Sequence, residues 1–181
     1  MKYFKKITGE NIYLSPYHPD DAEIYTKWLN DRSVTDGLGD TGMQFNLVNE
    51  KQWLEDTLKK GEPALAIVLA ETDRLIGSIG LFEIKQTHGT ATVGLFIGEA
   101  ADRGKGYGTE ALKLFVGYAF GVWNLRNIML MVYEFNQNAV KSYLKAGFKE
   151  FGRRRKAYYL DNKYYDIIFM DITRDDWYNG A

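Results

Sequence analysis

The sequence contains no cysteine among its 181 residues. Without a thiol the chain can form no disulfide, no thiolate zinc site and no iron–sulfur cluster, and it cannot use a cysteine nucleophile. The same absence fits a reducing compartment, so we expect a cytoplasmic protein. Proline is scarce, at three residues, and the sequence contains no repeat, low-complexity segment or linker, so we expect a single domain over residues 1–181.

Long apolar runs are missing as well. The longest apolar stretch, near residues 112–123, is too short and too interrupted to span a bilayer, and Met1–Lys6 lacks the apolar segment of a signal peptide. We therefore expect no membrane association. An excess of one charge is also absent, because 23 Lys and Arg face 24 Asp and Glu for a net charge of −1. That balance argues against a nucleic-acid partner.

Aromatic residues are abundant by contrast, at 15% of the chain with 13 Tyr and 10 Phe. Trp28, Trp53 and Trp123 lie on or beside predicted helices, which is typical of core positions. Because the chain is long enough to bury about 70% of the surface that it exposes when unfolded, it needs no covalent or metal support for a core.

The hydrophobic pattern predicts an α+β fold. Two consecutive hairpins occupy the middle of the chain, and later segments alternate between helix and strand. Capping residues predict helix starts at Asn49 and at Asn136, and Asp36–Gly42 is predicted as a loop. The order βααβββαβαββ predicts one mixed sheet with helices on both faces. The expected strands are 11–15, 64–70, 75–84, 90–97, 126–133, 148–152 and 164–172.

A glycine-rich segment, Arg103–Gly108, lies between a predicted strand and a predicted helix over residues 109–120. Alternating glycines let backbone N–H groups converge without side-chain obstruction, and the following helix adds the positive end of its dipole. Such a loop suits a diphosphate. Taken alone, the same segment is also typical of a flexible turn between a strand and a helix.

The common phosphate-binding motifs fit this segment badly. A P-loop requires glycine five residues before Gly104 and Ser or Thr after Lys105, but Glu99 and Gly106 occupy those positions. A dinucleotide fingerprint that starts at Gly104 would need glycine at Thr109. Its looser form fits from Gly106 onward, but no acidic residue follows about 20 residues later and the preceding strands form a meander. A non-enzymatic nucleotide binder is therefore disfavoured.

A second pattern follows the next predicted strand, with Asn136 before a short helix, Tyr143 within it and Gly147-Phe148 after it. Together with Arg103–Gly108, it resembles the GNAT superfamily of acetyl-CoA-dependent N-acetyltransferases, in its RimJ/RimL-like branch. That family's signature is Arg/Gln-x-x-Gly-x-Gly/Ala at the start of a helix, followed at a fitting distance by Asn, Tyr and Gly-Phe. The resemblance covers most of the chain. It implies a single GNAT-like α+β domain with a mostly antiparallel mixed sheet whose two central strands splay apart.

The resemblance also implies where acetyl-CoA binds. In the family the cofactor lies between the two splayed strands, which correspond here to residues 90–98 and 126–133. Backbone groups of Phe96 and Ile97 would bond the pantetheine arm together with Asn136, and Tyr143 would approach the thioester sulfur. The other implied cofactor-binding residues are Arg103, Gly104, Lys105, Gly106, Tyr107, Gly108 and Thr109.

The implied chemistry is direct transfer of acetyl from the thioester to a primary amine. An ammonium ion has no lone pair, so a proton must leave before attack, and the departing thiolate is better accommodated when a donor protonates it. Tyr143 is the expected acid, because its hydroxyl can donate and its ordinary pKa is about 10. The amine stays open among a protein α-amine, a polyamine, an aminoglycoside and an amino sugar, with Trp28 and Tyr133 as expected substrate-binding residues.

The sequence departs from the family at the general base. Many relatives carry Glu on the splayed strand, where this chain has Thr92, and others carry it five residues before the motif asparagine, where this chain has Met131. Neither side chain accepts a proton well. Three carboxylates remain near the implied cleft, Glu83, Glu99 and Glu134, and a water chain to solvent is an equal alternative. The base stays unassigned.

The missing glutamates slightly favour a second hypothesis, in which the chain is a non-catalytic acyl-CoA-binding sensor with a GNAT-like fold. The complete glycine loop and Tyr143 favour the enzyme. His18 and His88 lie far apart in sequence, so we expect no metal site. The basic run Arg153–Lys156 is predicted as a solvated loop between the last two strands. Relatives are often dimers, which implies a homodimer.

Overall fold

The computed structural model describes residues 1–180. Within that range the chain forms eight strands and six α-helices. The strands are β1 (Ile7–Thr8), β2 (Ile12–Ser15), β3 (Ala64–Leu69), β4 (Leu75–Lys85), β5 (Thr90–Ile97), β6 (Asn127–Tyr133), β7 (Lys149–Leu160) and β8 (Lys163–Thr173). The helices are α1 (Ala22–Leu29), α2 (Arg32–Leu38), α3 (Leu47–Lys60), α4 (Tyr107–Gly121), α5 (Gln137–Lys145) and α6 (Arg174–Asn179). Short 3-10 turns occupy Pro19–Asp21 and Ala100–Asp102.

The strands follow the order β1-β2-β3-β4-β5-β6-β8-β7 in one mixed sheet. β5 and β6 are parallel, whereas β1–β2, β2–β3, β3–β4, β6–β8 and β7–β8 are antiparallel pairs. The predicted α+β class and mixed sheet are confirmed. The chain forms two compact units, and β4, β5 and α4 each continue from one into the other. The first unit is Met1–Gly80 with Leu95–Ala111, and the second is Leu81–Gly94 with the described residues from Leu112 onward. A single domain over the whole chain stays a prediction.

An aromatic core organises the first unit. Tyr25 and Trp28 project from the buried face of α1, and their rings meet edge to face with centroids 5.7 Å apart. Phe96 on β5 packs edge to face against both rings. Such contacts add about 0.5–1.5 kcal/mol per pair to the burial of the rings themselves. Part of the high aromatic content therefore serves this core.

Alternating apolar residues build the core of the second unit. Ile128, Leu130 and Val132 on β6 are buried, and each lies opposite a buried residue of β8. The period of two along β6 is the pattern that a strand with one buried face requires. The β8 partners are Ile172, Met170 and Ile168, in that order.

Two helix boundaries in the first unit differ from the sequence prediction. The predicted loop Asp36–Gly42 is wrong in its first part, because α2 continues to Leu38 and ends at Gly39 with φ of 87°. The Asp31 side chain accepts from the Ser33 N–H at 2.8 Å, and this cap starts α2. In α3 the capping residue is Asn46 rather than Asn49. Both helix starts use capping residues that the sequence reading passed over.

The basic run Arg153–Lys156 was predicted as a loop, and this prediction is wrong because the run is part of β7. Its side chains are exposed, and a register shift between Arg154 and Tyr158 interrupts the β7–β8 pairing there. Because the strand is solvent-exposed and irregular at this point, its sequence lacks the apolar alternation by which strands are recognised. The prediction of a core position is also wrong for Trp53, which is 46% exposed.

The end of β5 passes very close to the core of the first unit. A Cβ atom built on Gly98, the residue after β5, would overlap the Trp28 indole ring. Trp28 is held in place, since it is 1% exposed and its Nε1 donates to Glu99 Oε1 at 2.9 Å. Only glycine fits at position 98, so the chain must leave β5 along this path.

We predict that Gly98→Ala destabilises the protein by about 1–3 kcal/mol or more, because a methyl group forced against a buried ring strains its neighbours. The free energy of unfolding from urea denaturation measures the effect. Gly42→Ala is the matched control, since a Cβ there meets nothing within 4 Å. Equal stability of the two variants would contradict the close approach of Gly98 to Trp28.

Candidate active site

The glycine loop of the first unit leads from the 3-10 turn at Ala100–Asp102 into α4. Gly104 has φ of 75° and Gly106 has φ of 91°, values that L side chains rarely adopt. A Cβ on either residue would meet nothing within 4 Å, so the space above the loop is open. α4 begins at Tyr107, directly after the second of these glycines. This combination of an open backbone loop and a helix start is the geometry that binds diphosphates.

The Arg103 side chain fixes the start of the loop. Its guanidinium donates to the carbonyl oxygens of Ile97 at 3.0 Å and Gly98 at 2.5 Å. It also donates to the carbonyl oxygen and the Oγ of Ser33, at 3.0 and 3.2 Å. Arg103 therefore ties the loop to the end of β5 and to the first turn of α2. The sequence predicts a cofactor contact for Arg103 but not this anchoring of the backbone.

An ion pair between a buried Asp102 and a half-exposed Arg74 holds the other side of the turn that precedes the loop. Asp102 is 4% exposed and accepts from the Arg74 guanidinium in a bidentate manner, at 2.7 and 2.8 Å. The hydrogen bonds from Arg74 hold the pKa of Asp102 below its ordinary value, and the charge of Lys105 adds to the effect. Bidentate pairs of this kind fix geometry as well as charge. Asp102 carries no signal in the family motif, so the sequence reading missed it.

Glu110 anchors the first turn of α4 within the first unit. Its Oε1 accepts from the backbone N–H groups of Glu10 and Asn11 at 2.7 and 2.9 Å, and its Oε2 accepts from Asn11 Nδ2 at 3.0 Å. A carboxylate near a helix N-terminus is also favoured by the helix dipole. The role of Glu110 is structural and was not predicted.

Several other predicted cofactor residues of the first unit are partly accessible. Phe96, Ile97, Tyr107, Gly108 and Thr109 are neither fully buried nor fully exposed. The Lys105 side chain is exposed next to the two glycines. The Ile97 carbonyl oxygen accepts from Arg103, and a pantetheine contact at Ile97 stays a prediction.

In the second unit the pairing between the parallel strands β5 and β6 ends soon after it begins. Their pairing comprises Thr90 with Asn127, Ala91 with Ile128 and Thr92 with Met129, and it stops there. Val93 and Gly94 on β5 therefore continue without β6 partners in the second unit. This early end of the pairing agrees with the predicted splay. Thr92 is the last β5 residue before the strands separate.

Asn136 and Tyr143 belong to one helical segment of the second unit. Asn136 Oδ1 accepts from the Ala139 N–H at 3.2 Å, which confirms the predicted cap of α5. Its Nδ2 makes no hydrogen bond within the described chain, so the amide can still donate to a ligand. Tyr143 lies about two turns further along, and its ring centroid is 6.3 Å from that of Phe148.

Burial raises the pKa of the Tyr143 hydroxyl to about 12. The hydroxyl has no hydrogen-bond partner among residues 1–180. A phenol in this environment stays protonated at every physiological pH and is available to donate. The arrangement suits a hydrogen-bond donor that faces developing negative charge.

The two predicted substrate residues have different surroundings. Trp28 lies in the aromatic core of the first unit with 1% exposure, so it has no surface to offer an amine, and the expected substrate contact is not supported. Tyr133, at 6% exposure, stacks on Tyr158 with ring centroids 3.9 Å apart and lies parallel to Phe135. These rings form an aromatic stack at the end of β6. A contact between Tyr133 and substrate stays a prediction.

Neither a metal site nor a membrane-spanning helix is found among the described residues. Within residues 1–180, no group of three or more His, Asp or Glu side chains is arranged to hold a metal ion. None of the described helices combines the length and the apolar character needed to cross a membrane.

Comparison with known proteins places these features in a family. A model of the family described as "Acetyltransferase (GNAT) domain" matches residues 11–149. The SPbeta prophage-derived uncharacterized N-acetyltransferase YokL of Bacillus subtilis (strain 168) is 27% identical over 171 residues, 94% of either chain. Spermidine N(1)-acetyltransferase of Escherichia coli (strain K12) is 33% identical over 101 residues, 56% of this chain and 54% of that protein.

A solved structure shares the fold over nearly the whole length. The crystal structure of spermidine N-acetyltransferase from Vibrio cholerae in complex with CoA and spermine has a TM-score of 0.84 to this chain at 22% identity. The match covers 94% of this chain and 100% of that one. It confirms the predicted GNAT-like fold.

We predict that Asp102→Asn lowers the free energy of unfolding by about 1–2 kcal/mol at neutral pH, because the charge-assisted bonds from Arg74 are lost. Since the folded pKa of Asp102 is lowered, its contribution is present above the unfolded value of about 3.9 and is lost as pH falls through the folded value. Urea denaturation at neutral and at acidic pH measures this difference. A deficit that is the same at both pH values would argue against the ion pair.

Proposed function

Because this chain belongs to the GNAT family of N-acetyltransferases, we propose that it transfers the acetyl group of acetyl-CoA directly to a primary amine, with a polyamine as the first candidate. The enzyme class and the family rest on the match over residues 11–149 and on relatives that are N-acetyltransferases. The family implies acetyl-CoA as co-substrate. The residues that bind it, the amine and the mechanism are our proposal.

The observation that carries the proposal is the open glycine loop. Gly104 and Gly106 have positive φ angles, and a Cβ on either would meet nothing within 4 Å, so the backbone at the start of α4 is open to a ligand. A diphosphate there would accept from these groups and would meet the favourable end of the α4 dipole. Lys105 and the N-terminal residues of α4, Tyr107 to Thr109, would complete the contacts. Arg103 would act mainly by holding the loop.

The pantetheine arm would follow the two separated strands. Where a strand end lacks a neighbour, its N–H and C=O groups are free to pair with the amides of an extended ligand, as another strand would. Phe96 and the Ile97 N–H group would supply these bonds from β5. Asn136 would add a donor from its Nδ2, since its Oδ1 is already engaged in the α5 cap.

Tyr143 would assist the departure of the thiolate. The amine nitrogen attacks the thioester carbon, the C–N bond forms, and the C–S bond breaks with the electron pair on sulfur. A thiol has an ordinary pKa of about 8.5, several units below that of Tyr143. Tyr143 would therefore stabilise the thiolate by a strong hydrogen bond. The second proton lost by the amine would pass through the phenol to the sulfur, which leaves Tyr143 protonated at the end of the step.

The names of relatives support a polyamine as substrate. Spermidine is the substrate in the name of the Escherichia coli relative, and spermine is bound in the Vibrio cholerae structure. A protein α-amine, an aminoglycoside and an amino sugar are the competing outcomes of the test. The cytoplasmic location, the homodimer and the absence of a metal stay predictions.

We predict thiol release from acetyl-CoA that depends on spermidine or spermine and is faster than with a peptide α-amine, an aminoglycoside or glucosamine. Release of CoA thiol, followed with a thiol reagent, measures the rate for each amine. Because the chain has no cysteine, the protein contributes no background thiol. Binding of acetyl-CoA without turnover on any amine would instead favour the acyl-CoA sensor.

Gly106→Ala should weaken CoA binding by about tenfold or more, because a side chain at φ of 91° costs about 1–3 kcal/mol and will shift the loop. Isothermal titration calorimetry with CoA measures the dissociation constant. Gly152→Ala is the matched control, at a glycine with open space and no positive φ. Unchanged affinity in Gly106→Ala would show that the diphosphate does not use this loop.

Tyr143→Phe should lower kcat about 100-fold while CoA affinity stays the same, because the ring is kept and only the donor is lost. Since the pKa of Tyr143 is about 12, the unmodified enzyme should show no loss of kcat from its ionisation below about pH 11. Steady-state kinetics of both proteins across pH provide the comparison. A kcat within threefold of the unmodified value would remove Tyr143 from the mechanism.

A further inference from the structure

The proposed reaction needs a proton acceptor, and the two positions where relatives carry glutamate hold Thr92 and Met131. Three carboxylates are candidates from the sequence, namely Glu83, Glu99 and Glu134. The structure gives each of them different partners. Those partners decide which carboxylate is free to take a proton.

Glu99 is engaged in the core of the first unit. Its Oε1 accepts from Lys27 Nζ at 2.6 Å and from the Trp28 indole at 2.9 Å. These two bonds lower the pKa of Glu99 below its ordinary value. A carboxylate held in this way is a poorer base, and its loss would also disturb the packing of Trp28.

Glu134 is tied into the chain that follows β6. Its Oε2 accepts from the Asp166 N–H at 3.2 Å, and its Oε1 lies 3.7 Å from the Arg153 guanidinium. Arg153 is shared with Glu150 and Asp166. These contacts indicate that Glu134 has a structural role, in which it connects the end of β6 to the last two strands.

Glu83 has a single partner, and that partner is the residue at the family's glutamate position. Thr92 Oγ1 donates to Glu83 Oε2 at 3.0 Å. Thr92 is 9% exposed, whereas Glu83 is exposed, so the buried hydroxyl orients a carboxylate that keeps its access to solvent. Its other oxygen, Oε1, makes no hydrogen bond within the described chain.

The Glu83–Thr92 pair lies where β5 and β6 separate. Thr92 forms the last β5–β6 pair, with Met129, before the strands separate. The family resemblance implies that the thioester lies where these strands separate. Glu83 is therefore attached to the strand at the point where the reacting amine must arrive.

The backbone of β4 is distorted at Glu83. Glu83 has φ of 51° inside a strand, a conformation that costs about 1–3 kcal/mol for a residue other than glycine. The preceding Phe82 ring lies over Gly94, so close that a Cβ at position 94 would overlap it. Strain of this kind persists only where the surroundings impose it, and it concentrates at active sites.

We infer that Glu83, oriented by Thr92, is the general base of the amine acetylation, so that a carboxylate from β4 replaces the one that relatives carry on β5. This inference rests on the proposed function. Glu83 takes the first proton from the substrate ammonium, which frees the lone pair for attack on the thioester carbon. The second proton lost by nitrogen ends on the CoA thiol, and Glu83 returns its proton to water.

Few charged groups share this face of the sheet. On the strands beyond Thr92, Met129 pairs with Asp171 of β8, and Asp171 pairs with Lys149 of β7. Asp171 accepts from Asn127 Nδ2 at 2.7 Å, and Lys149 forms an ion pair with Asp176. On β4 itself Lys85 follows two residues later and is exposed. None of these groups has a hydrogen bond or ion pair with Glu83 in the described chain.

The test compares Glu83→Gln with the unmodified enzyme on the amine that it acetylates fastest. We expect kcat/KM to fall about 100-fold at neutral pH, with CoA affinity unchanged. The deficit should shrink as pH rises toward the pKa of the amine, because the free amine then needs no base. Glu71→Gln, an exposed glutamate in the β3–β4 turn, is the matched control.

Thr92→Val provides a second variant in case glutamine disturbs the strained strand. It removes the hydroxyl but keeps the carboxylate, so we expect a smaller loss, of about tenfold, whereas Thr92→Ser should retain activity. A Glu83→Gln deficit that is absent, or that stays constant across pH, overturns the base assignment. If the unmodified protein binds CoA but acetylates no amine, the proposed function fails first, and the base assignment fails with it.

Discussion

The end of β5 is held by close packing against Trp28 and by the guanidinium of Arg103, and the glycine loop depends on both. Gly98 lies against the indole with no room for a side chain, so the backbone has one path out of the strand. Arg103 then donates to the carbonyl oxygens of Ile97 and Gly98, which fixes where the loop begins. Because these contacts set the start of the loop, the positive φ angles that follow can present N–H groups in a constant geometry. Preorganised donors of this type bind anions without the entropic cost of ordering the loop on binding.

On our proposal, the second unit supplies the proton acceptor from a position other than the one that the family resemblance implies. Thr92 occupies the position where the family resemblance implies glutamate. The Glu83 carboxylate of the neighbouring strand accepts a hydrogen bond from the Thr92 hydroxyl. On our proposal, the reaction keeps a base at the point where β5 and β6 separate, although the base comes from a different strand. Tyr143 complements it, because burial raises the pKa of its phenol to about 12 and leaves the hydroxyl available to donate. Groups with opposite preferences for the proton are what acid–base transfer requires.

Much of this arrangement could be predicted from sequence, and the failures have physical causes. The glycine loop, the Asn136 cap and the mixed sheet follow from local patterns, and the structure confirms the cap and the sheet. The exposed second half of β7 has no apolar alternation, so Arg153–Lys156 resembled a loop. Trp28 was expected both as a core residue and as a substrate contact, and only the packing in the structure distinguishes these two roles. The Glu83–Thr92 bond joins residues nine positions apart across a hairpin with an irregular backbone, and no sequence period reports such a contact.

The most direct test of the account is to follow the acetyl group itself. The protein is incubated with acetyl-CoA labelled in its acetyl group and with spermidine, and both the amine and the intact protein are then examined by mass spectrometry. Because the chain has no cysteine to form a thioester, direct transfer predicts the label on a spermidine nitrogen and none on the protein at any time. Label that accumulates on the protein before it reaches the amine, or that never leaves CoA with any amine, would contradict the account.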